Sequence, residues 1–180
     1  MIIICQRHYT VRNEEKFMRL ALRGVYCVLI MTIIFLMLSS SPLLAQTMQQ
    51  HVHHMSHTVM PFDMSKTIHV FRMTESGGVE QVLVRDPAET DQIALIRQHL
   101  RHEAERFQRG DYSDPARLHG ADMPGLKDLE TGAPHIKVSY SRLAAGARIT
   151  FKTGDLHLLT AIHRWFGAQL SEHGADARAE

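Results

Sequence analysis

Cysteine is nearly absent from this chain. Its 180 residues contain two, Cys5 and Cys27, and both precede residue 46. Everything after that point lacks disulfides and thiolates, which excludes redox-active thiols and thiolate zinc sites. Imidazole, thioether and carboxylate remain as donors for a metal. A dominant charge is missing as well. From residue 46 onward fifteen Lys and Arg stand against seventeen Asp and Glu, a balance that gives no basis for binding nucleic acid or an anionic membrane. Enzyme signatures are also wanting. There is no Gly-x-Ser-x-Gly elbow, no glycine-rich phosphate loop and no dinucleotide fingerprint, and Ser76-Gly77-Gly78 sits in a hairpin turn rather than at a strand-to-helix junction. No acidic residues form an obvious catalytic pair, so a binding protein without catalytic residues is the simpler expectation.

No apolar run reaches the roughly twenty residues of a membrane-spanning helix. The longest, Val25 to Leu38, follows Arg19 and Arg23 and precedes the small-residue stretch Ser39 to Ala45. That layout predicts a secretory signal with Ala45 as the last residue removed. The alternative is an uncleaved N-terminal helix that anchors the protein. Glu14 and Glu15 are out of place ahead of a signal, which makes Met18 the expected start. Residues 1–45 are therefore set aside, and a periplasmic or secreted protein with no membrane span after cleavage is expected.

The rest divides into two parts. Residues 46–64 are polar and read as a flexible His/Met-rich tail. Residues 65–180 suffice for one domain of ordinary size. Within it "TIHVFRM" and "VEQVLVRD" flank a turn at Glu75 to Gly78 and predict an antiparallel hairpin. A helix follows, with Asp86 as N-cap, Pro87 at its first position and Gly110 beyond its end. Its inward stripe is Ile93, Ile96, Leu100, Ala104 and Phe107. The order then repeats. Ile136, Val138 and Tyr140 alternate in one strand, Ala147, Ile149 and Phe151 in the next, and Asp155 caps a second helix with Leu156, Leu159, Ile162, Phe166 and Leu170 facing inward. The predicted fold is α+β: β-β-α-β-β-α, a two-layer sandwich of a four-stranded, mostly antiparallel sheet with both helices on one face. Between the halves lies a proline- and glycine-rich connection of about twenty-five residues. Turns at Asp114-Pro115 and Met123-Pro124 predict that it is ordered over one end of the sheet.

What the chain has in excess is histidine, twelve after residue 46, and histidine is the commonest metal ligand in proteins. Methionine adds a soft thioether that favours Cu(I) over zinc. In "HVHHMSHTVMPFDM" the candidates are His51, His53, His54, Met55, His57 and Met60, with Met64 close behind. A solvated linker is the competing reading of that stretch. His99 and His102 are neighbours on the first helix, either as a chelating pair or as a solvated edge. Their spacing is not the His-Glu-x-x-His of zinc proteases. His163 falls beside the apolar stripe of the second helix, where a satisfied core histidine competes with a ligand. His119 and Met123 in the long connection, together with His69 on the first strand, form a site if the connection folds over the sheet end.

The stretches "VMPFDMSKTIHVFRMTESGGVEQVLVRDP", "HEAERFQRGDYSDPARLHGADMPGLKDL" and "AIHRWFGAQLSEHGAD" resemble a family of small exported bacterial proteins sometimes labelled aspartate carbamoyltransferase. The resemblance spans roughly Met60 to Ala177. That label implies a much larger two-domain enzyme with a Ser-Thr-Arg-Thr carbamoyl-phosphate loop, which this chain lacks, so the resemblance supplies no catalytic residues. The functional expectation is an exported protein that binds a transition metal ion, copper first, at the His and Met residues named above. The alternative is an envelope interaction module that binds a protein or a small ligand without metal.

Overall fold

The computed structural model describes residues 48–180. The expected signal, residues 1–45, lies outside them. Among the described residues no helix is long and apolar enough to cross a membrane.

β-branched residues build the first hairpin. β1 (Thr67–Thr74) and β2 (Gly77–Val84) pair antiparallel from Thr67↔Val84 to Thr74↔Gly77, leaving Glu75 and Ser76 as the turn. β3 (Lys137–Leu143) and β4 (Gly146–Lys152) form the second hairpin, and β4 also pairs antiparallel with β2. A fifth strand, β5 (Ala177–Ala179), pairs parallel with β1, giving the order β3-β4-β2-β1-β5. The α+β class is as expected, but the predicted four-stranded sheet is corrected to a five-stranded mixed one. The "ARA" of β5 carries no apolar alternation. Its order comes from backbone pairing with β1, which only the tertiary fold provides.

Strand alternation puts His69 and Phe71 of β1, Glu80 and Val82 of β2, and Ala147, Ile149 and Phe151 of β4 on one sheet face. Two helices cover that face. α2 (Thr90–Gln108) buries Ile93, Ile96, Leu100, Ala104 and Phe107, the stripe read from the sequence, together with Glu103. α5 (Leu156–His173) is capped as expected by Asp155, whose side chain accepts from the backbone N–H of His157 and Leu158. Its buried stripe differs from the expected one and consists of Leu158, Ala161, Ile162, Trp165, Phe166, Gln169 and His173. Leu156, expected inside, is 77% exposed because it is the first residue after the cap. The helices meet over the sheet through Phe107, Trp165, Phe151, Phe166 and Phe71, whose ring centroids lie 5.1 to 5.9 Å apart.

The predicted start of α2 also shifts. Asp86 accepts from the N–H of Ala88 in a tight turn, and the helix begins four residues later at Thr90, without a side-chain cap. The long connection is ordered and folds into α3 (Ser113–His119) and α4 (Leu126–Gly132), with Leu118, Met123, Leu126 and Leu129 in the core. α4 lies close against α5. Gly125, at φ +85°, passes so near that a Cβ there would be 2.3 Å from the Ala161 carbonyl oxygen.

The largest departure is the segment expected to be a flexible tail. Residues 48–56 form a helix, α1. Val52, Met60, Phe62 and Met64 are buried in the main core, with Met55 and Val59 packed against it. Val52, Met55 and Val59 recur at three and four residues, an apolar period hidden among the histidines. Asp63 caps the short turn Met64–Lys66 that leads into β1.

Candidate functional site

Five elements and one loop bring polar side chains into the core. β1 contributes His69 and β2 contributes Glu80, diagonal neighbours on the inward face because Phe71 pairs with Glu80 and His69 with Val82. α2 supplies His99 and Glu103, four residues apart on one side of the helix. α3 adds His119 at its last position, α5 adds Trp165 and Gln169, and the loop after α1 adds Met60. Together they line a cavity of about 40 Å³. A water molecule needs roughly 10–15 Å³ on this measure, so about three water-sized groups fit. A shallower surface groove shares Met60, His99 and Asp114 with the cavity wall and adds His57 and His102.

Burial sets the charge state of this wall. It pushes the Glu80 carboxyl up to about 7. Glu103 is pushed up to about 8 by burial, opposed by the Arg106 guanidinium and reinforced by the Asp114 carboxyl. Burial lowers His69 to about 3, with His99 and His119 adding to the shift, and lowers His99 to about 4. Near neutral pH the His69 and His99 imidazoles are therefore neutral and retain a lone pair. Below the cavity Arg106 acts as a clamp. It donates to Glu103 at 3.1 Å, to Asp111 at 2.9 Å, and to Asp114 and Ser113. The exchange ties the end of α2 to the start of α3.

His119 is oriented by a second residue. Its Nδ1–H donates to Glu172 Oε2 at 2.7 Å, and its side chain is almost wholly buried. A carboxylate can only accept here, so Nδ1 carries the proton of this bond, and in a neutral ring Nε2 keeps its lone pair. Next to it lies His173, with ring centroids 4.9 Å apart, and His173 stacks on His69 at 4.6 Å. Neither ring nitrogen of His173 has a hydrogen-bond partner among the described residues, nor does Nδ1 of His69. Three imidazoles from β1, α3 and α5 therefore form one buried cluster, with His173 stacked on His69 and edge-on to His119. As they stand, no three of the described His, Asp and Glu side chains are spaced to hold one ion.

The sequence candidates separate accordingly. Met60, His69 and His119 line the cavity. Met123, expected beside His119, is buried in the hydrophobic core and is not part of the wall. His163 lies elsewhere, where its Nε2–H donates to the carbonyls of Thr74 and Gly77 at 3.1 and 2.9 Å and fastens α5 to the first hairpin turn. Those bonds occupy the proton of a structural histidine. His51, His53, His54 and His57 are exposed on α1 and the turn after it. His53 faces Asp176 at 3.3 Å, and the His54 and His57 rings lie 5.8 Å apart. Met55 packs on the core.

Five wall or stack residues are absent from the sequence-based set: Glu80, Glu103, Trp165, Gln169 and His173. Each lay within reach of periodicity. Glu80 is two residues from Val82 and so shares its strand face, and Glu103 falls on the stripe between Leu100 and Phe107. Gln169 and His173 continue the α5 stripe from Leu158 through Ile162 and Trp165. The signal for Glu80, Glu103, Gln169 and His173 is a polar residue at a position where periodicity demands an apolar one.

No protein-family model, curated protein or solved structure matches this chain.

Proposed function

We propose that this is an exported protein that holds one soft or borderline transition-metal ion, copper first, in the cavity between the sheet and its helices. His69, His99 and His119 supply imidazole and Met60 supplies thioether. The observation that carries this reading is the Glu172–His119 pair at 2.7 Å. A carboxylate on one ring nitrogen of a buried histidine holds the other as a fixed lone pair, the usual support of a metal-ligating imidazole. Two further lines support it. A cavity of about 40 Å³ is well below the 300–1,000 Å³ typical of organic-ligand pockets, but it has room for an ion and a small companion. The neutral His69 and His99 rings need lose no proton to bind. Ligation requires His69 to turn from its stack on His173, and His99 and His119 to turn with it toward a common point. Export rests on the signal-like layout of residues 18–45.

The second reading is an interaction module without metal. It is favoured by the stacking of His69 on His173, which suits imidazoles used as packing aromatics.

Metal counting separates the two. Residues 46–180 are loaded with copper or zinc, dialysed and assayed for retained ion. One retained equivalent is expected, lost in H69A and H119N and kept when His51, His53, His54 and His57 are all replaced by alanine. Loss only in the fourfold variant would place the ion on α1 instead. No retention by the wild type would leave the interaction module.

A further inference from the structure

The outward face of the sheet, opposite α2 and α5, carries a charge that the near-neutral balance of the chain conceals. Strand alternation puts Arg72 of β1, Lys137 of β3, Arg148 and Lys152 of β4 and Arg178 of β5 on that face. All five are exposed. The single acid within the strands, Glu80, points inward and is buried. Of the five cations only Arg72 meets an acid among the described residues, Glu180 at 3.7 Å. Compensating acids lie on the helices, with Asp91 and Glu105 on α2 and Asp128 and Glu130 on α4. Lys137 stands directly opposite Lys152 across β3 and β4, an arrangement of like charges that weakens a sheet. Both lysines open onto a pocket of about 510 Å³, lined also by His135, Thr153 and Gln108. An anionic group between the two ammoniums relieves their repulsion.

The composition of the face selects the partner. Its outward positions offer no aromatic ring on which a nucleic-acid base could stack, and they project no helix or ribbon to enter a duplex groove. Half-buried Ile68, Leu83 and Leu143 share the face with the cations, a mixture of dispersed positive charge and aliphatic surface spread over five strands. We propose that this face docks on an anionic phospholipid bilayer, with one lipid phosphate held between Lys137 and Lys152. The docking goes beyond the metal reading and does not depend on it.

The test is co-sedimentation of the full chain, in a chelator at low salt, with vesicles of equal parts phosphatidylglycerol and phosphatidylcholine and with vesicles of phosphatidylcholine alone. The second set measures binding by the apolar run Val25 to Leu38, which charge on the lipid then multiplies. Affinity for the anionic vesicles is expected to be about tenfold higher or more and to fall steeply with added salt. In Lys137→Gln/Arg148→Gln/Lys152→Gln it should drop about fivefold for each cation lost, toward the phosphatidylcholine value. Arg117→Gln/Lys127→Gln/Arg164→Gln has the same net charge but its changes lie on exposed helix positions, and it should bind as the wild type does. Circular dichroism and thermal melts confirm that both variants fold. Equal binding to the two kinds of vesicle would overturn the inference. So would equal loss in the two variants, because binding would then follow net charge rather than this face. Tighter binding of a DNA or RNA oligonucleotide than of the vesicles would also overturn it, by assigning the face to nucleic acid.

Discussion

Replacing Glu80 with glutamine tests how the polar core is held. Glu80 lies on the inward face of β2, is buried, and makes no ion pair among the described residues. Burial lifts its carboxyl from an ordinary 4.5 to about 7. Between those values the folded chain keeps a proton that the unfolded chain has released, so stability falls as pH rises through the interval. At about 1.4 kcal/mol per pH unit, the full interval is worth on the order of 3 kcal/mol by pH 8 to 9. Glu103, lifted to about 8, acts in the same direction. The histidines act in the other. His69, His99 and His173 all titrate below their ordinary 6.5 in the fold, so stability is lost as pH falls below 6.5 and the unfolded chain takes up protons that the folded one refuses. The metal-free wild type should therefore be most stable near pH 6.5 and decline on both sides. In Glu80→Gln the alkaline decline should shrink by about 1 kcal/mol, the part of the interval that lies above pH 6.5, which for a domain of this size is roughly 3 °C in melting temperature. The assay is urea unfolding from pH 5 to 9 in the presence of a chelator. Parallel alkaline decline in wild type and Glu80→Gln would refute the assignment of Glu80 as a buried, protonated acid.

Further outcomes follow from other contacts. Arg106→Leu leaves the largely buried Asp114 carboxylate without its cation and should cost about 3–5 kcal/mol in chemical unfolding. Gly125→Ala combines φ +85° with a Cβ 2.3 Å from the Ala161 carbonyl oxygen. It should destabilise by about 2 kcal/mol or more as α4 is pushed off α5, read as a lower urea midpoint. Asp155→Ala removes the acceptor for the His157 and Leu158 amides and should cost about 1 kcal/mol. Copper addition should quench the emission of Trp165, which lines the cavity, with a break at one equivalent, and Trp165→Phe should remove the signal.

The legible parts of the fold were those where apolar periodicity and turn chemistry agree. Both hairpins, the α2 stripe from Ile93 to Phe107 and the Asp155 cap follow from local sequence. β5 was not legible, because three residues with a single arginine between alanines fit many conformations until β1 offers its edge. Nor was α1, because histidines at most of its exposed positions obscure the spacing of Val52, Met55 and Val59. The α5 stripe was misaligned by counting from Leu156, which the cap turns outward, and that error hid Trp165, Gln169 and His173. For the site, sequence identified His69, His119 and Met60 but linked His119 with Met123 and His163, which pack and brace instead. The acids escaped notice because carboxyls are rarely placed in a core. Burial of Glu80 and Glu103 pushes both carboxyls up, toward the neutral form that costs less to hold in a core.

The most direct measurement is X-ray absorption at the copper edge on the loaded, dialysed chain. Copper held in the cavity should show imidazole scattering together with a sulfur contribution, and the sulfur should disappear in Met60→Leu while the imidazole signal weakens in His69→Ala. A spectrum without imidazole or sulfur scattering, or copper that is lost on dialysis, would contradict a metal site in this cavity.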